Sequence, residues 1–158
     1  MALAFKHTPS PAPDFDLHET DFYAWLTHNA ALIRAGRVGE VDLANVAEEL
    51  EDMGRSDKRA LGSHIGVLLL HLLKWQFQPA QRSNSWRGSI NNARRAIAKL
   101  LKESPSLRGL IPVLVEDEYP DARDDAAMET GLPESTLPVA CPYSIEAMLD
   151  KDFWPEPG

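Results

Sequence analysis

The chain has 158 residues, 44% of them hydrophobic, which is enough for one ordinary domain with a real core and excludes a disordered segment. The net charge of -8 is uneven: residues 1–54 carry -7, residues 55–108 carry +9 and residues 109–158 carry -10. A basic middle third flanked by acidic thirds reads as internal screening, since a dedicated nucleic-acid domain is usually basic overall.

In chain order, residues 1–18 are rich in proline and short of pattern, so a loose arm is expected, followed by a helical domain over 19–154 and a tail over 155–158. No basic segment precedes an adequate apolar core near the start, so no signal peptide is expected. The first predicted helix starts behind Thr20 as N-cap, with Phe22, Trp25, Leu26, Asn29 and Ile33 on one stripe, and Gly36 and Gly39 end it. Asp42 caps a second helix whose apolar face is Leu43, Val46, Leu50 and Met53, while Asn45, Glu48 and Asp52 point away. Gly54 suits a left-handed cap, so a turn is expected there, with a third helix running from Ser56 to Gln78 before Pro79.

That third helix, apolar almost all round in its second half, reads as the central element. Gly62 and Gly66 lie on one side, where close approach of a neighbouring backbone is expected; His64, Leu68, His71 and Trp75 lie on the other. A fourth helix begins at Ser83 to Ser85, with Trp86, Ile90, Ala93, Ile97 and Leu100 inward, Arg95, Lys99 and Lys102 outward, and Arg87 and Arg94 on a flank. A fifth covers Leu107 to Thr130, interrupted or kinked at Pro120 and ended by Gly131, and Ser144 to Asp150 gives a short last helix. No strand alternation and no repeat stands out. The fold class is therefore all-α, a single-domain bundle of five or six helices around the segment at about 56–78.

The stretches DFYAWL, NVAEELEDMGRSDKRAL, SHIGVLLLHLLKWQFQP, RSNSWRGSI, ETGLP and CPYSIEAMLD together resemble the bacterial domain-of-unknown-function family numbered twenty-nine, over about Asp21 to Trp154. The resemblance implies an all-helical fold. It implies no reaction, and it carries no catalytic residue over to this chain.

The residues themselves offer one polar cluster: Glu48, Glu49, Asp52, His64, His71, Arg82, Arg87 and Arg94. His71 interrupts the apolar run Ile65 to Leu73 and is expected to be buried against Glu49 or another carboxylate, since an unpaired buried polar group costs about 1–3 kcal/mol. The arginines are expected to pair with the carboxylates of the second helix across a helix contact. The same residues suit zinc, iron or manganese, but the two histidines stand two turns, about 10 Å, apart along the axis. No Glu-x-x-His pair accompanies them, so neither metal nor cofactor is expected. An acid–base site built on His71 and Glu49 is a further alternative. Cys141, in Ala140 to Tyr143, reads as a packed thiol and fits a reducing compartment. Phosphate contacts along the basic segment 55–108 are a third reading, weakened because Trp75 and Trp86 fall at core spacing. The reading reached is a cytoplasmic, non-catalytic interaction or accessory module, acting on a protein partner or by self-association. The apolar run is far shorter than the roughly 20 residues of a membrane span.

Overall fold

A computed structural model describes residues 16–158. The proposed arm of residues 1–18 therefore lies largely outside the described residues, and helix begins within its last part. Six α-helices follow in order: α1 (Asp16–Thr20), α2 (Phe22–Arg34), α3 (Leu43–Phe77), α4 (Asn84–Glu103), α5 (Ile111–Thr130) and α6 (Ile145–Leu149), joined by short 3-10 turns. Among the described residues there is no strand. The fold is all-α.

The second and third predicted helices are one. α3 runs unbroken through Gly54, Arg55 and Ser56. The positive-φ glycines are Gly36 and Gly131, and Gly54 is not among them. A glycine inside a helix costs about 1 kcal/mol relative to alanine, which is not enough to end one. Around it Glu51 and Arg55 stand four apart, the spacing at which opposite charges support a helix. A turn between these segments, and the reversal of direction it would bring, does not occur.

The chain divides into two compact units, the first ending at Gly54 and the second spanning Arg55–Gly158. The second unit holds the main core. Leu61, Ile65, Leu68, Leu69, Leu72 and Leu73 of α3 are fully sealed, with Ile90 and Ile97 of α4, Ile111 of α5 and Met148 of α6. Local chemistry sets the helix ends as read. Ser83 caps α4 by accepting from the Trp86 amide, Ser144 caps α6 in the same way, and Gly131 closes α5 in the left-handed region at φ 71°. Pro112 sits in the first turn of α5, where its missing N–H costs nothing. Pro120 lies inside α5, which continues past it.

Gly62 and Gly66 do make room, but for a side chain and not for a backbone. A β-carbon at Gly62 would lie 2.7 Å from Glu118 Oε1, and one at Gly66 3.0 Å from Glu118 Oε2. The Glu118 carboxylate lies across this small-residue face of α3.

The first unit is a helical hairpin. His18 of α1 meets Glu49 of α3, while Trp25 and Asn29 of α2 meet Asp42, the residue just before α3, so the start of α3 is tied to both. The N-cap of α2 is Asp21, which accepts from the Ala24 amide, one residue beyond Thr20. Among the described residues, its buried apolar side chains are Trp25, Leu32 and Val41.

Candidate functional site

The expected polar cluster does not form as one site. Glu49 lies in the first unit, where its Oε1 accepts a hydrogen bond from His18 Nε2 at 2.8 Å. Glu48 and Asp52 are exposed. His71 is half-buried, not sealed, and its Nδ1 donates to the Val67 carbonyl of its own helix at 2.9 Å, one turn back. The expected carboxylate partner from a neighbouring helix is thus replaced by local backbone. Burial, opposed by that carbonyl and reinforced by nearby Lys74, pulls the His71 pKa below its ordinary value. His64 is half-buried. Among the described residues, no three His, Cys, Asp or Glu side chains are grouped to hold a metal ion.

The arginines also do something other than pair with the carboxylates of the 42–54 segment. Arg94 is buried, and its guanidinium donates to the Met148 carbonyl at 2.9 Å, the Phe153 carbonyl at 2.8 Å and, weakly, the Lys151 carbonyl at 3.5 Å. Its planar fork matches three backbone oxygens that no regular element satisfies. Arg82 donates to the Trp75 carbonyl at 2.8 Å and the Pro155 carbonyl at 3.4 Å. Arg87 stands over the rings of Trp75 and Trp154, which contact each other at 4.7 Å. The C-terminal stretch is thereby fastened down and does not trail off; Pro155 is buried and the Gly158 amide donates to the Gln76 carbonyl.

Lys74 is a further buried cation. Its ammonium donates to Glu129 of α5 and sits 4.7 Å from the Trp86 ring centroid. Trp75 and Trp86 are therefore engaged as packing surfaces within the second unit, while Arg95, Lys99 and Lys102 are exposed. Cys141 is half-buried, and burial pushes its thiol up, so it stays protonated and poorly nucleophilic at neutral pH. Burial likewise pushes the Tyr119 hydroxyl up to about 12; it donates to the Pro138 carbonyl.

Two residue groups were missed or underread in the sequence. The helical spacing puts Arg94 on a flank, yet Ile90, Arg94, Ile97 and Leu101 recur at helical spacing and all are buried. The other group is the polar knot of the hairpin. Asp42 is buried; its amide donates to Asn29 Oδ1 at 2.9 Å, and its carboxylate accepts from Trp25 Nε1 at 3.1 Å and Asn45 Nδ2 at 2.7 Å. An asparagine within an apolar stripe, Asn29, was the available signal, because such a group requires a partner.

That knot supports an unusual surface. Trp25, Leu26, Asn29, Ala30 and Ile33 of α2 face Val46, Glu49, Leu50 and Met53 of α3 across a shallow groove of about 180 Å³. Its lining is apolar and open: Leu50 is 64% and Met53 67% exposed, with Leu26 and Ile33 at 42% and 49%. The stripes read from the sequence as core faces are thus only half covered.

The chain matches the model of one family, described as Domain of unknown function DUF29, over residues 17–154. It belongs to that family. Neither the curated proteins nor the solved structures gave a match to this chain. Among the described residues, no helix is long and apolar enough to cross a membrane.

His18 gives a spectroscopic handle on this DUF29 hairpin. Its ring also packs edge-on against Trp25, 4.7 Å between centroids. The hydrogen bond to Glu49, helped by Glu19, raises its pKa above the ordinary 6.5 despite some desolvation. A raised histidine contributes stability that is full below 6.5 and is lost as pH rises through the higher folded value. The His18 ring resonance should therefore titrate above 6.5, and Glu49→Gln should bring the midpoint back down. A midpoint unchanged by Glu49→Gln would show that the contact does not persist in solution.

Proposed function

We propose that this chain is a non-catalytic interaction module that docks a protein through the apolar face of its first unit. One observation carries the reading: the groove between α2 and the first turns of α3 is lined almost wholly by hydrocarbon and left open. Monomeric proteins rarely expose contiguous apolar patches above a few hundred Å² unless a partner covers them. Side chains at i, i+3, i+4 and i+7 on α3 (Val46, Glu49, Leu50 and Met53) give the spacing at which helices seat against one another. Supporting the non-catalytic part, the strongest polar groups are engaged in holding the chain: Arg94 and Arg82 on backbone carbonyls, Lys74 on Glu129, Asp42 on Trp25 and Asn45.

The test is photo-crosslinking in living cells with a photoreactive phenylalanine analogue replacing Leu50, and with the same analogue at Met128, an exposed α5 position, as control. The expected result is a discrete protein adduct from the Leu50 position that disappears when Ile33→Asp is added. Equal yields from the two positions, or none from Leu50, would refute the docking surface.

A further inference from the structure

We infer that the second unit holds a phosphate site, in which the guanidinium groups of Arg82 and Arg87 take the phosphoryl dianion of a small polar phosphomonoester. The site is independent of the docking surface proposed above.

Its place is a cavity of about 540 Å³ between the end of α3 and the start of α4, lined by Trp75, Arg82, Ser83, Asn84 and Arg87. Small-molecule sites run from about 300 to 1,000 Å³. The lining is polar and contains two cations and no carboxylate. The other buried or half-buried cations of this unit are answered within the chain: Lys74 by Glu129, Arg123 by Glu134 and Arg94 by backbone carbonyls. Among the described residues, neither Arg82 nor Arg87 has an ion-pair partner. Two like charges gathered at one cavity repel each other, and an anion between them removes that cost.

Both guanidinium groups are positioned without using up their donors. Arg82 gives Nε to the Trp75 carbonyl and Nη2 to the Pro155 carbonyl, which leaves Nη1. Its central carbon lies 4.9 Å from the Trp75 ring centroid. Arg87 is held by rings alone, 5.7 Å from Trp75 and 5.6 Å from Trp154, and gives no hydrogen bond to the described residues. Contact with a ring steadies a guanidinium and keeps its N–H fork for an oxyanion.

The charge and the rings select the ligand. A phosphomonoester carries about -1.5 to -2 at neutral pH and offers three acceptor oxygens, which suits two forks. A nucleic-acid backbone brings one charge per phosphate and needs open rings for its bases. Trp75 is only 7% exposed and both cations lie over it, so no such platform is present at the cavity. Ser83 and Asn84 supply neutral hydrogen-bonding groups for the body of the ester.

The experiment is an NMR titration of the full chain at neutral pH and low salt with glycerol 3-phosphate, inorganic phosphate, glycerol and oligothymidylate. The resonances followed are the Ser83 and Asn84 amides and the Trp154 indole N–H. Glycerol 3-phosphate should saturate them with a dissociation constant below about 1 mM. Inorganic phosphate should bind about tenfold more weakly, and glycerol should move nothing. Arg87→Met, which keeps an apolar stem against the rings, should weaken the ester by about tenfold or more, the scale of one charge-assisted pair. Arg87→Lys should recover part of the loss. Arg95→Met makes the same charge change at an exposed position of α4 and should stay within about twofold. Unchanged amide shifts in α5 check that each variant is folded.

No saturable shift up to about 10 mM ester overturns the inference. Equal weakening by Arg87→Met and Arg95→Met does so too, because net charge alone would then be acting. Inorganic phosphate binding as tightly as the ester removes the small polar body from the assignment. Oligothymidylate binding at these resonances more tightly than the ester, and lost in Arg87→Met, replaces the phosphomonoester with a nucleic-acid strand.

Discussion

Replacing Arg94 by alanine should destabilise the second unit by about 3–5 kcal/mol, the scale of removing a buried, hydrogen-bonded cation together with its volume. The side chain is only 5% exposed and reaches residues 54 to 59 positions further along the chain. Its loss strands the buried Met148 carbonyl and removes the donor of the part-buried Phe153 carbonyl, and a stranded buried acceptor costs about 1–3 kcal/mol. It also removes the cation from Trp154, whose ring centroid lies 5.5 Å away. Arg94→Lys should recover little, because a single ammonium cannot span oxygens served by Nε and Nη2 of a planar fork. Arg94→Met keeps most of the volume and so separates packing from hydrogen bonding. The measurement is the urea midpoint, with amide exchange read over residues 145–158. Exchange there should accelerate more than in α3, since the tail is what Arg94 holds. Arg95→Ala, one residue along on the exposed face, should stay within about 0.5 kcal/mol. Equal midpoints for Arg94→Ala and Arg95→Ala would show that the tail is held by its aromatic contacts alone.

Arg94 also marks the boundary of what periodicity reveals. The helices, their caps at Ser83 and Ser144 and the closing glycine at Gly131 follow from signals local to one or two turns, and these were readable. The carbonyls served by Arg94 belong to the last turn of α6 and the irregular chain after it, far away in sequence, which leaves no periodic trace. Gly54 misled for the opposite reason. Its composition suits a cap, but whether a glycine takes positive φ depends on whether the flanking helices must part, and here they do not. The apolar neighbours of His71 suggest a carboxylate partner, yet the Val67 carbonyl one turn back supplies a partner without any tertiary contact. The stripes of α2 and early α3 were correctly apolar. A hydrophobic stripe says that something covers it, not that the same chain does, and the exposure of Leu50 and Met53 turns that gap into the candidate site.

The groove depends on the knot beneath it, and Asp42 is its centre. Asp42→Ala removes the acceptor of the Trp25 indole N–H and of the Asn45 amide, both drawn to one buried carboxylate. The expected cost is about 2–4 kcal/mol, combining stranded donors with a lost helix cap. In a unit whose described residues bury three apolar side chains, that should be enough to melt the hairpin while leaving the second unit's exchange protection unchanged. Amide exchange in α2, compared with α5, reads this directly. The pH dependence has a defined sign. Burial pushes the Asp42 carboxyl up, but the hydrogen bonds from Asn45 and Trp25 outweigh it and hold the group below its ordinary 3.8. A depressed carboxylate contributes stability that is fully present above 3.8 and is lost as pH falls through the lower folded value. The gap in α2 protection between wild type and Asp42→Asn should thus be widest near neutrality and close below pH 3.8. Because Leu26, Ile33, Leu50 and Met53 are displayed only while α2 lies along α3, Asp42→Ala should also abolish the crosslink from the Leu50 position. A variant that loses α2 protection yet keeps that crosslink would show that the docking residues act from α3 alone, without the hairpin.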